Sequence, residues 1–263
     1  MKDKLTVVKV GSNIIDNADV LHSFLGDFAR LPGYKILIHG GGKTASDLSK
    51  KWGHSPQMHE GRRITTDIDL DIVTMVYAGS VNKKIVVQLQ ALGINAIGLT
   101  GADADCIRSV KRPVTKIDYG WVGDVIGVNG DIIGRFLRLG LTPVFNAITH
   151  DGEGQLLNTN ADTVAAEVSI GMSEEWITRL IYCFEKPGVL MDSENDTSII
   201  ARINQEEYNR LVDENVIHSG MLPKMHNAFE ALRRGVDQVV IGGVDILEKG
   251  GGTLLEGRRK SKR

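Results

Sequence analysis

The stretch Lys35-Ile36-Leu37-Ile38-His39-Gly40-Gly41-Gly42-Lys43-Thr44 decides the fold of this chain. Its first four residues are typical of a short buried strand, and the spacing of Ala45, Leu48 and Trp52 predicts a helix after the glycines. Glycines at the start of a helix leave backbone N–H groups uncovered, where the helix dipole favours an anion. A second such segment, Lys9-Val10-Gly11-Ser12, follows the first predicted strand. Two anion sites, each with a lysine, indicate two anionic groups brought together.

Strand and helix patterns alternate from one end of the chain to the other. Apolar residues at the helical period predict helices, and short runs rich in β-branched residues predict strands. Strands are predicted over residues 5–10, 35–38, 95–99, 143–147, 179–184, 238–241 and 253–255. Helices are predicted over residues 20–28, 45–52, 67–92, 130–139, 160–170, 204–212 and 223–234, with hairpins over 106–129.

This alternation predicts an α/β fold. Strands joined through helices need crossover connections, which give a mostly parallel central sheet covered by helices on both faces. Ligands of such sheets bind beyond the carboxyl ends of the strands. Both glycine segments lie at those ends, so we expect the functional site there.

The composition is that of an ordinary globular protein. The 263 residues are 42% hydrophobic and 24% charged. No apolar run approaches the roughly 20 residues that cross a bilayer, and no secretory h-region precedes the first strand. Cys106 and Cys183 are too few for a disulfide framework or a metal site and are expected to be buried. We expect a cytoplasmic protein that binds no membrane.

The charge balance argues against a nucleic-acid partner. The formal net charge is −2, whereas proteins that bind nucleic acids carry basic surfaces. The basic segment 258–263 is the exception. We interpret it as a solvated terminus, and a contact with a phosphate or with a neighbouring subunit is the alternative.

Two familiar phosphate-binding patterns nearly fit the glycine segment. A Walker A loop needs a glycine where this chain has Leu37. The dinucleotide pattern G-x-G-x-x-A is met by Gly40, Gly42 and Ala45, although it follows the second predicted strand rather than the first. An NAD(P)-binding oxidoreductase is therefore a distant alternative, which NAD(P) binding measured by fluorescence quenching would reveal.

Three further segments contain candidate site residues. Asn158-Thr159-Asn160-Ala161-Asp162 precedes a helix, so its asparagines either cap that helix or orient a substrate. Lys224 lies at a helix start, which favours negative charge, so it either faces a nearby anion or bends into solvent. Arg63 lies in a polar loop and suits bidentate carboxylate binding, as does its neighbour Arg62.

Taken in order, these segments resemble the amino-acid kinase family. The resemblance covers essentially the whole chain, and six motifs in the family's order are far more specific than any one of them. The motifs are Lys-x-Gly at 9–11, His-Gly-Gly-Gly at 39–42, Gly-x-Arg-x-Thr at 61–65, Asn-x-Asn-Ala-Asp at 158–162, Gly-Met-x-x-Lys at 220–224 and Gly-Thr at 252–253.

The resemblance implies a fold and a reaction. It implies a single domain over 1–263, a three-layer αβα sandwich with an acyl-amino-acid lobe first and an ATP lobe second. The polar stretch Ser173-Glu174-Glu175 is the candidate boundary, which gives lobes over 1–174 and 175–263. The implied enzyme uses ATP with Mg²⁺ and transfers the γ-phosphoryl group to the side-chain carboxylate of an N-acylated glutamate. N-acetyl-L-glutamate is the first candidate, as in arginine biosynthesis. A homodimer is the implied assembly.

The resemblance also implies roles for individual residues. Lys9 and Lys224 would flank the transferring phosphoryl group, with Asp162 between them, and no residue would be a metal ligand. Gly41 and Gly42 would donate N–H groups near the γ-phosphate and the attacking carboxylate. The implied substrate-binding residues are Gly41, Gly42, Arg63 and Asn158, and the implied nucleotide-binding residues are Lys9, Gly11, Ser12 and Lys224.

Two departures from the family pattern keep alternatives open. Ser12 stands where the family usually has glycine, as in the glutamate 5-kinase branch, so a kinase for free glutamate or another small acid is the nearest alternative. Phe184-Glu185-Lys186 replaces the usual residues before a Pro-Gly pair, and the polar residues between Arg62 and Thr66 would accommodate more than acetyl. An inert sensor of the same ligands is a further alternative, which would bind them without releasing ADP.

The implied chemistry needs no general base. The acceptor carboxylate has an ordinary pKa near 4.3 and is ionised at neutral pH. We therefore give no catalytic role to histidine, and His39 is interpreted as a packing residue. A free glutamate would need an anion for its α-ammonium group, and Glu60 is the acidic residue beside Arg63. Because Arg-inhibited relatives carry a helix before the first strand, which begins here near Leu5, we expect an enzyme insensitive to arginine.

Overall fold

A computed structural model describes residues 2–59, 61–218 and 220–257. The predicted strands are confirmed, and five short strands that the sequence patterns did not indicate (β3, β4, β9, β10 and β12) are added. The strands are β1 (Lys4–Val10), β2 (Tyr34–His39), β3 (Met58–His59), β4 (Arg62–Arg63), β5 (Ala96–Leu99), β6 (Ile107–Lys111), β7 (Gly123–Val128), β8 (Thr142–Phe145), β9 (Ile148–His150), β10 (Leu156–Asn158), β11 (Ile177–Cys183), β12 (Arg202–Asn204), β13 (Gln238–Gly242) and β14 (Thr253–Glu256).

The helices also follow the predicted pattern. The short helices α1 and α10 were not predicted, and the long helix predicted over 67–92 is divided by a π-helical segment, Met75–Val81, between α4 and α5. The helices are α1 (Ser12–Ile15), α2 (Ala18–Arg30), α3 (Gly42–Lys51), α4 (Asp67–Thr74), α5 (Asn82–Ala91), α6 (Gly130–Arg138), α7 (Ala161–Met172), α8 (Gln205–Asp213), α9 (Met221–Arg233) and α10 (Ile246–Lys249).

The central sheet has eight strands in the order β12-β14-β13-β11-β1-β2-β8-β5. Its neighbouring strands are parallel except for β13 and β14, which are antiparallel. The predicted hairpin over 106–129 is confirmed, because β6 and β7 pair antiparallel in a second sheet of order β10-β9-β6-β7. Strands β3 and β4 form a separate small hairpin.

The alternation of side chains along β1 explains why both faces of the sheet are covered. Successive side chains of a strand point to opposite faces. Leu5 and Val7 pack into the buried cluster that also contains apolar residues of α6, α7 and α9. Val8 and Val10 pack into a second cluster with residues of α2, α4 and α5. A strand buried on both faces is nearly all apolar, and the three-layer αβα architecture is confirmed.

The expected division into two lobes falls at the turn between α7 and β11. Strands from both sides of residue 174 share the central sheet, and one buried cluster contains both Val7 and Leu180. The lobe assignment stays a prediction. Residue Glu60 and the basic segment 258–263 lie outside the described residues.

The two cysteines are buried in the sheet and its connections, as expected. Burial raises the pKa of both the Cys106 and the Cys183 thiol to about 12, so neither forms a thiolate at neutral pH. Within the described ranges, no helix is both long enough and apolar enough to cross a bilayer.

Candidate active site

The candidate site lies at the carboxyl ends of β1 and β2, in the middle of the central sheet. Strand β1 pairs with β2 on one side and with β11, which comes much later in the chain, on the other. The chain leaves β1 toward β2 on one side and reaches β11 on the other side only later, so a crevice opens at the end of β1. Ligands of open α/β sheets bind in a crevice of this kind. The first turns of α3, α7 and α9 supply the other residues of the site.

Lys9, Asp162 and Lys224 meet at this position. Lys9 follows Leu5 and Val7 on the face of β1 that α7 covers, so its side chain reaches Asp162 in the first turn of α7. The Lys9 Nζ lies 2.8 Å from Asp162 Oδ1, and the Lys224 Nζ lies 2.9 Å from Asp162 Oδ2. One carboxylate therefore holds two ammonium groups, as the resemblance implied.

Burial and charge oppose each other at Asp162. Burial alone would raise the pKa of its carboxyl group, but the ammonium groups of Lys9 and Lys224 hold that pKa well below its usual range. Burial lowers the pKa of Lys224, and the attraction of Asp162 opposes that shift. The alternative that Lys224 bends into solvent is wrong, because this side chain is buried against Asp162.

Two aromatic side chains complete the surroundings of Lys224. Its Nζ lies 5.0 Å from the ring centre of Tyr182 and 5.7 Å from that of Phe184, distances at which a cation is attracted to a ring face. The Tyr182 hydroxyl donates a hydrogen bond to the Asp162 carbonyl oxygen over 3.0 Å. Tyr182 pairs with Lys9 in the register of β11 and β1, which a sequence pattern does not show.

Asn160 caps α7 and so orients Asp162. The Asn160 side chain accepts hydrogen bonds from the N–H groups of Asp162 and Thr163, which confirms the capping interpretation for this asparagine. Asn158 is not a cap. Its side-chain amide donates a hydrogen bond to the Thr65 hydroxyl over 3.0 Å.

The glycine segment begins α3 without a side-chain cap. Gly41 is the N-cap residue, and no side chain accepts a hydrogen bond from the first turn there. The first N–H groups of a helix have no intrahelical partner, so those of this turn are available to an anion. Gly41 has a φ of 150°, a conformation that residues with a Cβ rarely adopt.

His39 packs beneath the glycine segment, as expected. It is fully buried, and its Nδ1 lies 2.8 Å from the Gly40 carbonyl oxygen while its Nε2 lies 3.0 Å from the Asn82 side-chain amide. Burial lowers the pKa of His39 to about 4. The ring is therefore neutral at physiological pH, donates from Nδ1 and accepts at Nε2.

Both Arg62 and Arg63 line the cavity of the site, but only Arg63 of the two is buried. Arg63 is buried and Arg62 is exposed, an alternation that follows from their positions in strand β4. The Arg63 Nη2 donates hydrogen bonds to the Gly42 carbonyl oxygen and to the Ser46 hydroxyl, at 3.1 and 2.7 Å. Its Nη1 lies 3.5 Å from a carboxylate oxygen of Asp69. These contacts join the arginine to the glycine segment.

A cavity of about 400 Å³ brings most of the predicted residues together. Residues of the predicted substrate and catalytic sets share its wall, together with residues that were not predicted. The predicted residues in its wall are Lys9, Ser12, Gly41, Gly42, Arg63, Asn158 and Asp162, and the unpredicted ones include Ser46, Tyr77 and Arg112.

The structure places two predicted nucleotide residues beside the cavity wall rather than in it. Lys224 lies next to Asp162. The Gly11 N–H donates a hydrogen bond to the Cys183 carbonyl oxygen over 2.9 Å. A Cβ on Gly11 would lie 3.2 Å from that same oxygen, so the glycine permits a close approach of β1 and β11.

These features define a protein class. The chain belongs to the amino acid kinase family, whose family model matches residues 4–243. Because this is a family of kinases, the NAD(P)-binding alternative is not supported.

The chain is similar to proteins named acetylglutamate kinase. It is 48% identical over 256 residues to that of Phocaeicola vulgatus, which covers 97% of this chain and 100% of the relative. It is 52% identical over 239 residues to that of Cytophaga hutchinsonii, which covers 90% of each chain. Among solved structures, the crystal structure of smu.665 from Streptococcus mutans UA159 has a TM-score of 0.77 at 25% identity and covers 95% of this chain and 98% of that one.

Proposed function

We propose that this chain is an N-acetylglutamate kinase, which transfers the γ-phosphoryl group of ATP to the side-chain carboxylate of N-acetyl-L-glutamate in arginine biosynthesis. The observation that carries the proposal is the pair of ammonium groups of Lys9 and Lys224 on the Asp162 carboxylate. They lie near the first turn of α3, which begins at the glycine segment without a side-chain cap. The chain is also 48% identical to a relative named acetylglutamate kinase.

The barrier to this reaction is electrostatic. An ionised carboxylate oxygen must approach a phosphoryl group that is itself negative, and its proton is already gone at neutral pH. Catalysis of phosphoryl transfer consists almost entirely of positioning and charge stabilisation. Fixed cations and N–H groups in a site with little water are the means by which enzymes provide that stabilisation.

The residues of the site divide this work between them. Lys9 and Lys224 neutralise the transferring group and the bridging oxygen that leaves with ADP. Asp162 holds the two ammonium groups apart at fixed positions and is not a base, because the low pKa of its carboxyl group makes it a poor proton acceptor. The N–H groups of Gly41 and Gly42 stabilise the oxygens of the attacking carboxylate and the γ-phosphate.

Mg²⁺ enters this proposal with the nucleotide. This ion is usually bound by substrate phosphates with one or two carboxylates. Both carboxylate oxygens of Asp162 already contact lysines, and the described residues contain no group of three His, Cys, Asp or Glu that would hold a metal. The ion would therefore be held chiefly by the nucleotide, where it would neutralise phosphate charge, and ATP would bind against Ser12, Gly11 and the 175–263 lobe.

The acyl-amino acid occupies the cavity on the 1–174 side. Arg63 pairs with its α-carboxylate and the Asn158 side chain with its amide. Acylation removes the α-ammonium charge, so no acidic partner is needed next to Arg63. Among the described residues, Asp69 has a carboxylate near Arg63. That carboxylate already contacts Thr66 in the capping box of α4 and the ring of His54.

We further propose a cytoplasmic homodimer. A biosynthetic enzyme with an ATP co-substrate functions where ATP is available, and a chain with two buried, unbridged cysteines does not depend on disulfides for its stability. Sedimentation of the purified chain would show a mass of two chains, whereas one or six chains would contradict the dimer.

The substrate is tested by ADP release in a coupled assay. We expect rapid release with N-acetyl-L-glutamate and little with free L-glutamate, and N-succinyl-L-glutamate measures how much larger an acyl group the cavity accepts. A preference for free glutamate would favour the glutamate kinase alternative. Binding of N-acetylglutamate and ATP without ADP release would instead favour the inert sensor.

Arg63→Gln is expected to weaken substrate binding more than catalysis. A hydrogen bond to a charged group contributes about 1.5–3 kcal/mol, so the KM for N-acetylglutamate should rise roughly 10- to 100-fold. The KM for ATP should change little. The matched control is Arg62→Gln, because Arg62 is exposed on the same short strand. A larger increase in KM for Arg62→Gln than for Arg63→Gln would contradict the assignment.

A further inference from the structure

The π-helical segment Met75–Val81 lies between α4 and α5, and the spacing of buried residues explains why it is there. Buried apolar side chains recur at every fourth residue, at Val73, Tyr77, Val81 and Ile85. In an α-helix a spacing of four drifts by about 40° per step around the axis. The wider turns of the π-helical segment Met75–Val81 offset that drift. Tyr77 and Val81 therefore stay on the face that meets the glycine segment.

The ring of Tyr77 packs directly on Gly41. A Cβ on Gly41 would lie 2.9 Å from Tyr77 Cδ1, 3.1 Å from Tyr77 Cε1 and 3.4 Å from Val81 Cγ2. The contact leaves room for a glycine at this position and for no larger residue. The ring in turn limits the movement of the backbone that presents the N–H groups of the first α3 turn.

The hydroxyl group of Tyr77 belongs to the cavity. A Cβ on Gly42 would lie 3.7 Å from Tyr77 Oη. Tyr77 is only 6% exposed yet is part of the cavity wall together with Arg63. Burial raises the pKa of Tyr77, and the nearby Arg63 guanidinium opposes that shift. The phenol is therefore neutral at physiological pH and can donate a hydrogen bond.

We propose that Tyr77 is a substrate-binding residue that donates a hydrogen bond to the same carboxylate of the N-acylglutamate that Arg63 binds, and that the π-helical segment holds it there. This inference rests on the proposed function. A carboxylate accepts up to about four hydrogen bonds, so a phenol and a guanidinium can share one. The ring positions the glycine segment, and the hydroxyl selects a substrate with a carboxylate at this point.

Tyr77→Phe separates the two roles, because it keeps the ring on Gly41 and removes the hydroxyl. We expect the KM for N-acetylglutamate to rise about tenfold or more, with kcat and the KM for ATP within about twofold of the wild type. Without nucleotide, the thermal stabilisation by N-acetylglutamate should fall in parallel. The matched control is Tyr34→Phe, whose ring packs edge-on against Trp176 at a distance of 4.8 Å, away from the cavity.

A wild-type KM for N-acetylglutamate in Tyr77→Phe, with wild-type thermal stabilisation, would overturn the inference. That result leaves the proposed function intact, because the wild-type enzyme would still phosphorylate N-acetylglutamate. Absence of turnover by the wild type with every N-acylglutamate would instead refute the proposed function.

Tyr77→Leu provides a second comparison. Loss of the ring should also lower kcat, since the N–H groups near Gly41 and Gly42 would lose their support.

Discussion

Lys224→Ala is expected to lower kcat by about a hundredfold or more. Removal of one well-placed stabilising group from a site of this kind costs roughly 3–4 kcal/mol of transition-state stabilisation. The Lys224 Nζ is buried, lies 2.9 Å from Asp162 and faces two aromatic rings, so water replaces it poorly. Lys9→Ala should have an effect of similar size, because Lys9 contacts the other oxygen of the same carboxylate.

The measurement is kcat at saturating ATP and N-acetylglutamate, with thermal melting to show that the variant is folded. Lys224→Met is the companion variant, because it keeps most of the side-chain volume between Tyr182 and Phe184. Lys249→Ala is the control, since Lys249 is exposed and pairs with Asp245, the residue that precedes α10. A kcat within a few-fold of the wild type in Lys224→Ala would remove Lys224 from the catalytic role.

Asp162→Asn is expected to cause a comparable loss of kcat without a new acid limb in the pH–rate profile. The carboxylate holds two ammonium groups, and its removal leaves them facing each other without a counter-ion. The pKa of Asp162 lies well below its usual range, so the carboxyl group is ionised throughout the neutral range and transfers no proton. If Asp162 were a base, activity would follow its titration at low pH.

In Asp162→Asn we expect the alkaline limb of the pH–rate profile, rather than the acid limb, to shift. Burial lowers the pKa of Lys224, and Asp162 opposes that shift. Because the protonated form is the active one, kcat falls as the pH rises through the pKa of Lys224. Loss of the Asp162 charge lowers this pKa further, so the fall in Asp162→Asn should begin at a lower pH. Asp47→Asn, at an exposed carboxylate that pairs with Lys43, is the matched control. A shifted acid limb in Asp162→Asn alone would show that the carboxylate acts as a base.

The fold follows closely from the sequence because its strands and helices have clear periods. The runs 36–38 and 180–184 are continuous apolar segments, which is the pattern of a parallel strand covered on both faces. The short strands β9, β10 and β12 have three residues each, too few to show a period. The π-helical segment was not predicted either, because a spacing of four from Val73 to Ile85 is compatible with an α-helix over any single turn.

The site follows from the sequence only in part. The misplaced charge of Lys224 correctly indicated a nearby anion, but its partner Asp162 lies 62 residues away, and spacing does not show that contact. The choice between Arg62 and Arg63 depended on which face of β4 points inward. Tyr77 was missed because it lies inside a predicted helix and in none of the six motifs, and its role depends on the packing of the glycine segment.

A crystal structure of the protein with N-acetylglutamate and the non-hydrolysable nucleotide AMP-PNP would decide whether two fixed cations promote the transfer. We expect the Nζ atoms of Lys9 and Lys224 within about 3 Å of oxygens on the β- and γ-phosphates, on either side of the γ-phosphorus. We also expect the side-chain carboxylate of the acyl-amino acid in line with the bond to be broken. The mechanism would be contradicted if either ammonium group made no contact with a phosphate oxygen. A protein base in contact with the acceptor carboxylate would also contradict it.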